Sequence, residues 1–156
     1  MNRTQSGFTI LELMLTMAIM VLIVSMAMPA MTGFVQRNRL SAEVRGIVGA
    51  VALARSEAIT RRTIVAVVPL VVADGWNSGW RVIELNSAGG EEGTAFRQSD
   101  PFPTGYTMVL NPVQTSLPFL PRGLLNLTAG VDIVLADGKG NSSTVKMPLS
   151  GSAYIR

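Results

Sequence analysis

Residues 8–31 read FTILELMLTMAIMVLIVSMAMPAM, a run of 24 residues with one charged side chain, Glu12. Leu, Met, Ala and Ile recur at every position of the helical period, and the first proline, Pro29, stands near the far end. At about 1.5 Å rise per residue such a helix reaches roughly 36 Å, enough to cross a hydrocarbon core of about 30 Å. A globular helix seldom stays apolar on all faces for six turns. The run therefore predicts a membrane-inserted helix, with a buried core helix as the plainer alternative.

Beyond Met31 the pattern becomes one-sided. Leu40, Val44, Ile47, Val48, Val51, Ala54 and Ala58 recur at spacings of three and four, while Arg39, Arg45, Ser56 and Thr60 fall on other faces. This is the stripe of an amphipathic helix that packs one side on a sheet. Pro29 is expected to bend the helix, since it removes a backbone bond and crowds the preceding turn. Gly46 and Gly49 each weaken it by about 1 kcal/mol relative to Ala.

From Thr63 the period shortens again. Ile64–Val68 and Leu70–Ala73 are β-prone and separated by Pro69, which suits an edge strand or a bulge. Asp74-Gly75 and Asn77-Ser78-Gly79 supply turn chemistry before a strand at Trp80–Leu85. Further strands are expected at 94–98, 106–111, 131–136 and 143–147, with a hairpin turn at Asp137–Asn141. Residues 87–93 and the proline-rich 101–122 read as loops. The expected architecture is α+β, a long N-terminal helix packed on an antiparallel β-sheet domain. Its segments would be residues 1–7, an apolar helix 8–31, an amphipathic helix 32–62 and a β-rich domain 63–156.

Composition narrows the chemistry. Only 15% of the 156 residues are charged and 48% are hydrophobic, against about 25% charged in an average soluble domain. The chain has no Cys and no His, which removes disulfides, thiol and imidazole catalysis and nearly every zinc or iron site. A Ser–Lys couple would have to use Lys139 or Lys146 beside Ser142 and Ser143, a proximity common in any turn and strand. Asp137, Lys139 and Asn141 superficially resemble the start of a calcium loop, but a Lys replaces an oxygen ligand and no closing Glu follows. No catalytic residue, metal or cofactor is expected, and an enzyme is not the reading these residues favour.

Charge is segregated. Residues 37–62 hold six arginines and two acids, a net +4, whereas residues 63–156 are net −1. A basic helix can meet nucleic acid or anionic headgroups, but more often it is a solvated face or faces acidic neighbours in an assembly.

The N-terminus carries the sharpest chemistry. Ser25-Met26-Ala27 would serve as a signal-peptide cleavage site, so that processing route stays open on the residues alone. Against it stand the length of the apolar run and Glu12, a carboxylate that costs about 2.5–3.5 kcal/mol inside a bilayer unless partnered. If the chain began at Phe8, its α-amine would lie four residues from Glu12 on one helical face. Removing one member of a buried ion pair costs about 3–5 kcal/mol. The alternative is that Glu12 pairs with its own amine only. The positive-inside rule disagrees with an exported body, since Arg3 precedes the run while Arg37, Arg39 and Arg45 follow it.

Met1–Gly7 followed by Phe8-Thr9-Ile10-Leu11-Glu12-Leu13 resembles the class III leader and N-terminus of type IV prepilins and type II secretion pseudopilins. The resemblance implies that a prepilin peptidase cuts between Gly7 and Phe8 and N-methylates Phe8. It also implies that Glu12 meets the amine of a neighbouring subunit during assembly, and that Pro29 is the helix-kinking proline. Residues 54–62, ARSEAITRR, and Trp76-Asn77-Ser78-Gly79-Trp80 resemble signatures of GspH/FimT-type minor pilins. In the first, Arg55, Glu57, Arg61 and Arg62 are placed to cap carbonyls or pair with one another; in the second, Trp76 and Trp80 are expected to staple a hairpin to the helix.

Carried over, the resemblance implies a minor pilin of type IV pilus biogenesis, in a priming or tip complex that supports twitching or adhesion. A type II secretion pseudopilin of the GspH type shares these features, and a DNA-binding minor pilin for natural transformation is a third reading. Expected partners are other major or minor pilins or pseudopilins, the prepilin peptidase and the inner membrane. The chain would be a single-pass inner-membrane protein with a periplasmic body, and part of a pilus or pseudopilus after assembly. Some relatives bind DNA through a Gly-Arg-x-Arg tail motif. Here Gly151 is followed by Ser152 and Tyr154 where those arginines would stand, so DNA is not favoured as a partner. The cations left for it are Arg122, Lys139, Lys146 and Arg156.

Overall fold

The computed structural model describes residues 8–86 and 88–156, with residues 26–30 described by backbone alone. The chain forms two compact units, Met1–Arg37 and Asn38–Arg156. One helix, α1 (Ile10–Arg61), supplies most of the first unit and the spine of the second. Helical backbone continues through Pro29.

In the first unit the described apolar side chains are exposed. Ile10, Leu11, Met14, Met17, Met20, Val21, Leu22 and Ile23 are all exposed. Among the described residues no helix is long and apolar enough to cross a membrane. The described side chains of the apolar run, residues 10–25, span about 24 Å at 1.5 Å per residue, short of a hydrocarbon core of about 30 Å.

In the second unit Leu40, Val44, Ile47, Val51, Ala54 and Ala58 are buried, and Ala50 joins them. The stripe seen in the sequence is thus the packed face of the helix, with Val48 at its margin. α1 ends at Arg61, and Arg62 takes a left-handed conformation (φ 57°), the backbone turn that closes many helices.

Among the described residues eight strands follow in two antiparallel sheets. The first, in order β3-β2-β1-β5, contains β1 (Ile64–Val71), β2 (Gly75–Leu85), β3 (Glu91–Gln98) and β5 (Leu117–Phe119). The second, in order β4-β6-β7-β8, contains β4 (Thr107–Asn111), β6 (Val131–Ala136), β7 (Ser142–Met147) and β8 (Tyr154–Ile155). Val65, Val67, Trp80, Val82 and Phe119 of the first sheet join Leu110, Ile133, Leu135 and Met147 of the second in one core with the helix stripe. The fold is α+β, a long helix packed on antiparallel sheet.

Several local expectations need correction. Pro69 does not divide β1. It pairs opposite Trp80, beyond the reach of β5, which covers only Val65–Val67. The missing N–H therefore faces no strand, and the ladder shifts register between Pro69 and Val71, so the edge position and bulge that the proline suits are both present. Asn77–Gly79 is strand, not turn. The reversal is made earlier, by a 3-10 turn at Val72–Asp74 closed by Gly75 at φ 60°. The Ser78 hydroxyl holds that irregularity, accepting from Val71 N–H at 2.9 Å and lying 2.7 Å from the Gly75 carbonyl. The strand expected at 106–111 is β4, but the rest of the expected loop 101–122 also contains β5, the expected loop 87–93 includes the start of β3, and β8 adds a strand near the C-terminus.

Candidate functional site

The N-terminal site is built by the first turn of α1. Phe8 precedes the helix and is 81% exposed. Thr9 is the cap: its Oγ1 accepts the Glu12 N–H at 3.2 Å, and its carbonyl accepts the Leu13 N–H at 3.2 Å. Thr9-Ile10-Leu11-Glu12 thus has the spacing of a capping box, in which a hydroxyl and an acid three residues apart satisfy the open donors of a helix start. The capping role of Thr9 is legible in that spacing, although in the sequence Thr9 stands out only by its place in the motif. Glu12 also suits the positive end of the helix dipole. Among the described residues its carboxylate makes no hydrogen bond or ion pair. Gly7 lies outside the described residues, and so does the side chain of Pro29.

At the other end of α1 the clustered charges partly satisfy one another. Glu57 and Arg61, one turn apart, form an ion pair at 2.6 Å. That hydrogen bond, foremost, raises the Arg61 pKa. The guanidinium also lies 4.5 Å from the centre of the Phe96 ring, a cation–π contact to β3. Trp80 does staple its strand to the helix: its Cζ2 would stand 3.6 Å from a Cβ at Gly46. The Trp76 indole instead donates to the Gln114 carbonyl at 2.6 Å, tying β2 to the segment after β4. The Asn77 carboxamide oxygen accepts from Met108 N–H at 2.9 Å, a direct link between the two sheets.

The four cations considered for DNA are spread out. Lys139 lies in the β6–β7 turn, whereas Lys146 is near the opposite end of that hairpin. The Lys146 ammonium is 3.2 Å from the Asp132 carboxylate across the strands. Arg156 follows β8, with its N–H donated to the Thr144 carbonyl, and Arg122 is exposed in the loop after β5. Asp137, singled out in the sequence for its turn, spends its carboxylate on that turn. It accepts from the backbone N–H groups of Lys139 and Asn141 at 2.8 and 3.1 Å and from the Asn141 side chain at 2.6 Å. These bonds, the Asn141 side chain's above all, hold its pKa below the ordinary carboxylate value. Burial, and secondarily Asp100, pushes Glu43 upward. Among the described residues no group of three or more His, Cys, Asp or Glu side chains gathers where a metal would sit.

Comparison with known proteins places both ends of the chain. Residues 43–152 match the family model of type II transport protein GspH. Residues 2–28 match that of the prokaryotic N-terminal methylation motif. The structure is similar to that of type IV minor pilin FimU from Pseudomonas aeruginosa, solved in two crystal forms. In one the identity is 18%, covering 79% of this chain and 92% of that one, with a TM-score of 0.67. In the other it is 17%, covering 75% and 92%, with a TM-score of 0.63. At this identity the likeness is one of fold. No curated protein matches the sequence.

Proposed function

Because the chain belongs to the family of type II transport protein GspH and carries the prokaryotic N-terminal methylation motif, we propose that it is a minor pilin. It is a subunit that enters a type IV pilus through its N-terminal helix and takes part in priming or capping assembly. The observation that carries this reading is the first half of α1, an exposed apolar helix whose one carboxylate, Glu12, is the fifth residue after the proposed cleavage point and has no partner among the described residues. Such a surface cannot remain in water. It rests in the inner membrane with the body on the periplasmic side, and then moves among the equivalent helices of other subunits. Prepilin peptidase removes residues 1–7 and methylates Phe8. Glu12 then neutralises the amine of a neighbour, and Pro29 sets the bend of the helix. The chain's work is structural, not catalytic.

The description of the matched family favours a second reading, a type II secretion pseudopilin. The mechanics above serve either machine, since both stack subunits on the same kind of helix. A DNA receptor is the weaker alternative, because the charge of Lys146 is already met by Asp132 and the other cations do not converge. Deletion of the gene followed by filament shearing tests the proposal. A minor pilin is recovered in the sheared fraction, and its loss reduces piliation and twitching. Normal piliation with defective protein secretion transfers the chain to the second reading, and neither defect overturns both.

A further inference from the structure

Among the described residues of the second unit, the most exposed large apolar side chains are Val113 at 83% and Val72 at 72%, with Val71 beside the latter at 45%. They stand on two loops that meet at one end of the body. Val71 and Val72 open the turn between β1 and β2, and Val113 lies between β4 and β5. β5 runs antiparallel to β1, with Phe119 opposite Val65 and Leu117 opposite Val67. Followed backwards at the same step, residues 113–116 lead toward the β1–β2 turn. The Trp76 indole, at the β2 side of that turn, donates to the Gln114 carbonyl at 2.6 Å and ties the two loops together. The Ser78 hydroxyl holds Val71 N–H from within β2. Both loops are thus fixed before any partner arrives. Residues 68–76 and 111–116 hold a single charged side chain, Asp74.

Two levels along the helix show which end this is. At the first, Val65 pairs with Phe119, whose ring would lie 3.1 Å from a Cβ on Gly151. That Cβ would meet the Gly123 carbonyl, and a Cβ on Gly123 would lie 2.7 Å from Ile59. At the second, Pro69 pairs with Trp80, which lies 3.6 Å from where a Cβ on Gly46 would be. From Val65 to Pro69, therefore, β1 runs back along α1 from Ile59 to Gly46. Three more residues, about 10 Å of strand, carry Val72 toward the level of Asn38, which precedes Gly46 by about 12 Å of helix. Asn38 begins the unit, and there the chain leaves it for the apolar run. Residues 32–37, between that run and Asn38, reach at most about 20 Å even when fully extended. With the run in a membrane, this end of the body is held at the membrane surface, and the valines are at this end.

We propose that the two loops rest on the phospholipid leaflet that holds the chain before assembly, with Val71, Val72 and Val113 at the boundary between headgroups and acyl chains. The contact is shallow, because the polar backbone of a turn cannot enter hydrocarbon, and apolar side chains at such a boundary still gain by leaving water. Arg39, exposed next to Asn38 and without an ion pair among the described residues, suits a lipid phosphate at the same level. Asp74, exposed in the turn, has the amines of ethanolamine headgroups to meet. The proposal rests on the membrane-anchored stage of the proposed function and deepens it by giving the waiting subunit a second hold. A single copy of the chain suffices for it.

Because the chain has no cysteine, a single introduced thiol can carry a fluorophore that nitroxide-bearing lipids quench on contact. The full-length chain is reconstituted in vesicles of phosphatidylethanolamine and phosphatidylglycerol with the label at V72C, V113C, R122C or L15C. Arg122 is exposed beside Gly123 at the far end of the body, and Leu15 is exposed in the apolar run. Quenching at 72 and 113 is expected to exceed that at 122 by about threefold or more, strongest with nitroxides near the headgroups. V72D should lower quenching at 113 by about half and leave that at 15 unchanged, which loss of membrane insertion would not do. Labels at 72 and 113 quenched no more than the one at 122 overturn the contact. The L15C label separates the two levels. Quenching at 15 without quenching at 72 and 113 sinks the contact alone, whereas quenching at 72 and 113 without quenching at 15 upholds the contact and sinks the anchored reading.

Discussion

The two halves of α1 are made of similar residues and meet opposite fates. In the second half Val44, Ile47 and Ala50 are at most 1% exposed, because the stripe they form lies on the sheets of the body. In the first half Ile10 is 82% exposed and Leu11 77%. There the apolar residues run round the whole helix, and those described are exposed. Burying a large aliphatic side chain stabilises by about 1.5–3 kcal/mol. The second half gains that within the molecule, and the first can gain it only from lipid or other subunits. On the proposed function, one end of the helix folds the body and the other enters the fibre.

If the halves are this separate, substitutions should fall cleanly on one side. Glu12→Val is expected to leave membrane association and the unfolding transition of the body unchanged. It should reduce incorporation into sheared filaments by about 100-fold or more, the consequence of leaving a neighbour's amine unpaired at about 3–5 kcal/mol. Phe119→Ala, at a fully buried core position, should do the reverse. It should lower stability by about 3–5 kcal/mol in denaturant unfolding while cleavage after Gly7 continues. Gly151→Ala forces a side chain into a left-handed backbone at φ 77° and against the Gly123 carbonyl. A loss of about 1–3 kcal/mol is expected in the same assay.

Smaller effects sharpen the comparison. Thr9→Ala removes the cap from the first turn, worth about 1 kcal/mol. Hydrogen exchange at the Glu12 amide should quicken about fivefold, with the amides of residues 44–58 unchanged. Asp137 adds a pH dependence confined to the body. Its pKa in the folded chain is lowered, so its contribution is complete above the unfolded value of about 4 and is lost as pH falls through the folded one. Asp137→Asn should flatten that part of the acid unfolding curve, and a curve identical to that of the parent chain would contradict the assignment.

What the sequence disclosed depended on how local each signal was. The stripe from Leu40 to Ala58 and the alternation along β6 repeat at the period of their own element, so both are legible without partners. β5 is three residues within a proline-rich stretch, and it is a strand only because Val65–Val67 lie beside it. Pro69 is legible as an edge or bulge position because a missing N–H is costly in a paired strand, and pairing on that side does end before it. At the candidate site, Phe8 and Glu12 stand in a fixed spacing that any reader of the chain can see. Arg55 is legible as a charge, but the groove it lines with Val48, Ala52 and Ile59 is not, since the opposite wall at Gly151–Ala153 arrives from the far end of the sequence.

The central claim is that the chain is cut before Phe8 so that the exposed half of α1 can enter a fibre. Intact mass and N-terminal analysis of the protein from sheared filaments and from membranes test it directly. The account predicts a chain beginning at Phe8 with one added methyl group on its amine, in both fractions. A chain that still begins at Met1, or one cut after Ala27 and released from the membrane, would contradict it.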